Sequence, residues 1–308
     1  MSRTVTDCDR MSVSRYFASD RLNARAQFFA ACNALNVDFS SYYAPRDIDD
    51  SGEPIIDVAR IGPHKAPIVL TLTNGSWVDE GLCASGIQTA LLREGLGRIG
   101  RNDIALVLVH AVAPAGLSGL GNRGPAVSDT SIREWSNHAL AAAENRFASY
   151  VQETHAPKQG GDGGIPWQAR VLCQIADTYF AKAQSISLID LRTGPGYYGE
   201  ADLLACRTHS DPAMERAARL FGTTEDPSAP TPHGTPGDLA HGLITALERS
   251  DLTAAVLEFG TYSMRSVLSA GSGGVFYPDT TDWREQAWAS AQGVIQHVLL
   301  SLPKSRQG

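Results

Sequence analysis

The sequence predicts an α/β protein of three layers, α/β/α, with a mixed, mainly parallel sheet between the helices. Three observations carry that prediction. Four runs are apolar almost throughout: APIVLTLTN (66–74), DIALVLVHAVAP (103–114), SISLIDLRTG (185–194) and TAAVLEFGT (253–261). Strands covered on both faces read this way, because neither face is left for polar residues. Between these runs lie segments whose apolar residues recur at helical spacing, and alternation of the two kinds indicates a sheet packed on both sides. Finally, 308 residues that are 43% hydrophobic suffice for one large α/β domain with a sizeable core.

In chain order, residues 1–12 read as a flexible tail and 13–304 as a single domain. Phe17, Leu22, Ala26, Phe29 and Ala30 predict a first helix over 14–35. EPIIDVARIG (53–62) reads as a strand and leads to the apolar run at 66–74. A helix is expected over 80–96, with Ile87, Ala90 and Leu91 on one face. After the strand at 103–114 comes a Gly-rich loop (115–129), then helices over 130–154 and 167–184. The strand at 185–194 runs into the loop PGYYGE, and a helix follows over 211–222. The Pro-rich stretch 223–238 separates no second apolar core, so it reads as a surface loop rather than a linker. A final strand at 253–261 and a helix over 281–302 complete the pattern, which contains no internal repeat.

Charge narrows the partners. Against 33 acidic residues stand 26 Lys and Arg, a net charge of −7, which argues against nucleic acid because phosphate backbones need clustered cations. No apolar run approaches the ~20 residues of a membrane helix, and the N-terminal residues lack the apolar stretch of a signal peptide. A cytoplasmic protein with a small-molecule ligand or substrate, and with no nucleic-acid or membrane partner, is expected. Its oligomeric state is left open. The Ala-rich, Lys-poor composition fits a high-GC bacterium. Cys8, Cys32, Cys83, Cys173 and Cys206 are odd in number and never in a CxxC pair, so they form neither a disulfide framework nor a zinc knuckle. Cys83 alone lies close in sequence to residues considered below.

In open α/β sheets ligands bind beyond the carboxyl ends of the strands, so the informative residues are those just past each apolar run. These are Asp79 and Glu80, Arg133, Arg192, and Glu258. Acids and arginines beside apolar strands are costly to bury unless paired, and two of each sign read as one compensated cluster. Solvated loop charges are the alternative.

Several segments carry a resemblance in order along the chain: RYFASDRLNARAQFFAA (15–31), VDEGLCASGIQTALLR (78–93), VLVHAVAPAG (107–116), DLRTGPGYYGE (190–200), VLEFGT (256–261) and FYPDTTDWREQAW (276–288). Together they resemble a bacterial group of zinc-carboxypeptidase-like proteins known as a domain of unknown function. Its relatives include carboxypeptidase A-like and aspartoacylase-like deacylases. The resemblance implies a carboxypeptidase-like fold over nearly the whole chain. It also implies a zinc site built from a His-x-x-Glu pair and a later His, and here the departures matter. The first His position is Trp77, with Glu80 at the Glu, and the later His is Arg192 within Asp190-Leu191-Arg192-Thr193-Gly194. Of the family's carboxylate-gripping Asn-Arg pair, Arg133 remains beside Ile132, and the catalytic Glu matches Glu258. The chain is also shortened between Ser266 and Gly274.

Zinc takes about four N, S or O ligands, and neither an indole nor a guanidinium supplies one. No metal and no cofactor are therefore expected. His110 is the one histidine at a matching strand end, and with Glu80 it would still leave the ion two ligands short. Arg192 puts a fixed positive charge where the metal's charge would be, Trp77 an aromatic wall, and Tyr197 and Tyr198 phenols at the rim. Ala113-Pro114-Ala115 makes the pocket lining apolar.

The expected function is metal-independent acid/base chemistry (cyclisation, elimination or isomerisation) on a small anionic or polyketide-like molecule. Glu258 would act as acid or base, with Arg192 and Arg133 stabilising developing negative charge. Trp77, Asp79, Glu80, Tyr197, Tyr198 and His110 would contact the substrate. Two alternatives stand beside it: a non-catalytic binder of a ligand or partner, and a zinc amidohydrolase with rearranged ligands.

Overall fold

The computed structural model describes residues 12–43, 54–74, 78–95, 101–111, 167–194, 196–205, 211–222, 247, 251–262 and 276–303. The strands are β1 (Asp38–Tyr43), β2 (Pro54–Ile61), β3 (Ile68–Asn74), β4 (Ile104–His110), β5 (Ser185–Gly194), β6 (Ala201–Ala205) and β7 (Leu252–Gly260). Helices are α1 (Arg21–Ala34), α2 (Val78–Arg93), α3 (Trp167–Ile175), α4 (Asp211–Phe221) and α5 (Thr281–Ser301).

The strands form one seven-stranded sheet in the order β1-β2-β4-β3-β5-β7-β6. Its centre, β4-β3-β5-β7, is parallel, and these are the four apolar runs of the sequence. β2 pairs antiparallel with β4, β1 with β2, and β6 with β7. The expected mixed sheet with its four interior neighbours is what forms. Both faces are covered. On one, α1, α2, α4 and α5 bury Phe28, Ile87, Leu91, Phe221 and Trp283 against Leu70, Leu72, Leu106, Leu108 and Leu257. On the other, α3 and the turn after it bury Ile175, Tyr179 and Phe180 against Val69, Val107, Val109, Leu188 and Val256.

Four elements differ from expectation. The first helix does not run through 14–35: a single tight turn covers Val13–Tyr16, and Asp20 then starts α1 by accepting from the Asn23 backbone N–H at 2.9 Å. An Asp at that position offers the orphan amides a partner, so the helix begins anew there. The helix expected to 184 leaves α-geometry after Ile175 and continues as a wider π turn over Ala176–Phe180. β1 and β6 are edge strands that the reading lacked. β1 is half polar and β6 is five residues long, so neither carries the apolar signature of an interior strand. The helix expected over 130–154, the loops at 115–129 and 223–238, and the tail up to residue 11 lie outside the described residues.

The corner that delivers β3 to α2 is held by buried polar bonds. Gln88 Nε2 donates to Asn74 Oδ1 (2.9 Å) and to the carbonyls of Leu72 and Val109 (both 3.3 Å). Asn74 Nδ2 donates in turn to the Gly81 carbonyl at 3.1 Å. These bonds tie the ends of two strands to the first turn and the middle of one helix.

Candidate functional site

Strand pleating sorts the residues at the carboxyl end of the sheet. Along β5, Ile186 and Leu188 face α3, so Asp190, Arg192 and Gly194 continue on that face. On β7, Ala254 and Val256 do the same, and Glu258 follows them. The parallel register sets Arg192 beside Glu258, and the antiparallel register of β6 sets Asp202 on Glu258's other side. Thr73 comes from β3, opposite Asp190.

Asp190 organises the group. Its side chain is 1% exposed, and Arg192 Nε donates to its Oδ2 at 2.5 Å. Thr73 Oγ1 donates to its Oδ1, also at 2.5 Å. With Nε committed to a buried carboxylate, the plane of the Arg192 guanidinium is fixed. Glu258 lies alongside. Burial pushes its carboxyl above the usual carboxylate range, the Arg192 charge opposes that rise, and Asp202 adds to it. A side chain at Gly194 would run into the Glu258 carboxylate, which therefore rests against bare backbone.

The frame around Glu258 is made by the loop after β5. Thr261 donates to the Gly194 carbonyl through both its backbone N–H (3.0 Å) and its hydroxyl (2.9 Å). Gly199 N–H donates to the Gly260 carbonyl at 2.9 Å, and Trp283 Nε1 to the same carbonyl at 2.8 Å. Any Cβ at Gly260 would overlap the Tyr197 carbonyl, so the two loops touch through backbone alone.

Of the residues expected from sequence, Arg192 and Glu258 are brought together. Tyr198 packs instead against the opposite layer, its hydroxyl 2.5 Å from Thr280 Oγ1 and its ring 5.8 Å from that of Tyr262. Tyr197 is 82% exposed. Asp79 and Glu80 stand in the first turn of α2, and their side chains, with Trp77 and Arg133, lie outside the described residues.

His110 is placed elsewhere. Its neighbours Val109 and Ala111 face α3, so its ring points through to the opposite layer. There it stacks on Phe28 of α1, with centroids 4.3 Å apart, and its Nε2 lies 2.9 Å from Ser85 Oγ. Burial pushes its pKa down to about 4, against a smaller rise from Asp57. Asp57 is itself paired with Arg25 (2.8 Å) and accepts from Ser41 Oγ (2.5 Å). Cys83 is buried in that same layer, across the sheet from Glu258.

Sequence reasoning missed Asp190, Thr73 and Asp202. Asp190 carried a signal, since it is the one charged residue within the apolar run SISLIDL. Asp202 carries none, because the five-residue edge strand β6 has no interior-strand signature.

A guanidinium, which cannot ligate a cation, is bonded to the buried carboxylate of Asp190. Among the described residues no three His, Cys, Asp or Glu side chains converge in a way that could hold a metal.

A family described as "Protein of unknown function (DUF2817)" matches residues 17–122 and 152–274. No curated protein matches the chain. Among solved structures, a glutaminyl cyclase from Macrostomum lignano superposes with a TM-score of 0.52 at 11% identity, covering 97% of this chain and 95% of that one. Carboxypeptidase A from Helicoverpa armigera superposes at 0.51 with 12% identity, covering 97% of this chain and 76% of that one. Both likenesses concern the fold, which is carboxypeptidase-like. No helix among the described residues is long and apolar enough to cross a membrane.

Proposed function

We propose, from the premise that the chain belongs to the DUF2817 family and has a carboxypeptidase-like fold, that it carries out metal-independent acid/base chemistry on a small molecule. The observation that carries this reading is the state of Glu258. Its carboxyl is held above the ordinary range by burial, beside a guanidinium locked in place by Asp190. A carboxyl whose proton affinity is raised by burial is better suited to give and take a proton than a solvated one. Arg192 would stabilise negative charge that develops on the substrate as that proton moves. Arg133, Trp77, Asp79, Glu80, Tyr197 and Tyr198 are proposed to line the substrate, an anionic or polyketide-like molecule.

Cyclisation is a reaction class of this kind, and one protein of similar fold is a glutaminyl cyclase. Elimination and isomerisation make the same demand on Glu258. The Asp190–Arg192 pair also supports a second reading, in which the site binds a ligand without turning it over, since a locked pair holds its shape with no reaction.

The test is turnover of a metabolite panel by the purified protein, with and without chelator. The reading expects an activity that survives chelation and falls at least about a hundredfold in Glu258→Gln, the size of a lost general acid or base. Activity that disappears on chelation and returns with zinc would overturn it. Saturable binding with no product would leave the second reading.

A further inference from the structure

Across the sheet from Glu258, at the far end of α2, a cleft of about 390 Å³ opens between the Val13–Tyr16 turn, α1 and α2. Arg15, Tyr16, Gln27, Ala30, Thr89 and Arg93 line it. Three features distinguish it from an ordinary surface groove. Thr89 is 1% exposed, and its buried hydroxyl oxygen has no hydrogen-bond partner among the described residues. Gln27 Oε1, on the α1 side of the same cleft, is also buried and has no hydrogen-bond partner among the described residues. Arg93, one turn beyond Thr89 on the same face of α2, is exposed and makes no ion pair among the described residues.

The other cation is already compensated. Arg15 lies 3.5 Å from Glu94, donates to Tyr16 Oη at 2.6 Å and sits over the Tyr16 ring. Tyr16 Oη donates onward to Glu94 at 2.7 Å. Among the described residues the cleft thus lacks a negative group for Arg93, an acceptor or donor for Thr89, and a donor for Gln27. Buried polar atoms without partners are rare in native proteins and call for a bound species.

We propose that this cleft is a second ligand site, for a small carboxylate that carries a hydroxyl or amino group beside it. The carboxylate pairs with Arg93 and accepts from the Thr89 hydroxyl, while the neighbouring O–H or N–H donates to Gln27 Oε1. A plain carboxylate satisfies the first two groups and leaves Gln27 unmet.

The experiment is an NMR titration of the full chain with glycolate, with acetate as the ligand lacking the donor and ethylene glycol as the one lacking the charge. The proposal expects glycolate to shift the Thr89 and Arg93 signals saturably, with acetate several-fold weaker and ethylene glycol without effect. Arg93→Ala should weaken glycolate about tenfold, the value of one hydrogen bond to a charged group, with Arg93→Lys between the two. Thr89→Val should also weaken it. Glu258→Gln should leave it unchanged, which separates this site from the proposed reaction. Arg93 is exposed, so its replacement leaves the fold intact, and the thermal melt checks that. Equal binding of acetate and glycolate, unaltered binding in Arg93→Ala, or no shifts at all would overturn the proposal.

Discussion

Asp190 shows how much one buried carboxylate can arrange. It takes a donor from Arg192 and another from Thr73, and through Arg192 it sets the field that Glu258 feels. Removing either member of a buried ion pair strands the other, at a cost of about 3–5 kcal/mol. Arg192→Ala is therefore expected to lower the midpoint of urea unfolding strongly, and Arg192→Lys, which keeps the charge, to lower it less. Equal melts for Arg192→Ala and the parent would show that the pair contributes nothing. Gly194→Ala tests the other support. Its methyl meets the Glu258 carboxylate, so loss of about 1–3 kcal/mol is expected together with displacement of Glu258, whereas the same change at exposed Gly293 meets nothing. At this scale the sequence was legible in part. Arg192 and Glu258 stand out as charges at the ends of apolar runs. Asp190 is marked only as the one charge inside an apolar run, and its pairing with Thr73 and Arg192 depends on register and pleat.

Elements decide which face a residue serves, and His110 is the instructive case. It ends an apolar strand, as expected of a site residue, yet alternation along β4 sends its ring toward α1 and Phe28. Its pKa of about 4 lies below the 6.5 of an unperturbed histidine, so the unfolded chain takes up a proton more readily than the folded one. The stability that comes from keeping His110 neutral is complete above about pH 6.5 and is lost as pH falls toward 4, about 3 kcal/mol in all. Asp57 and Arg25 face the same layer as a bonded pair. Thermal melts from pH 8 to pH 4.5 are expected to fall more steeply for the parent than for His110→Gln. Parallel curves would contradict this assignment. The interior strands were legible because burial on both faces leaves an unbroken apolar run. β1 and β6 were not, since an edge strand satisfies its polar groups in water and carries no such mark.

For the whole molecule, a sheet with one apolar core on each face gives a common scaffold to the Glu258 group and to the Arg93 cleft. We propose that residues 13–304 form one domain. Chemical unfolding followed by Trp283 fluorescence and by circular dichroism is then expected to give one coincident transition, and two separated transitions would divide the chain. The α/β class and its parallel centre were evident in the sequence because they depend on patterning repeated over many residues. The composition of the site was less evident, because it depends on register between strands far apart in the chain. The claim on which the functional reading rests is that burial raises the pKa of the Glu258 carboxyl, against the opposing charge of Arg192. It is tested most directly by NMR titration of the Glu258 carboxyl carbon in the intact protein, with Glu258→Gln to assign the signal. The account predicts a pKa above the ordinary carboxylate range, rising further in Arg192→Ala; a pKa at or below that range, unmoved by the loss of Arg192, would contradict it.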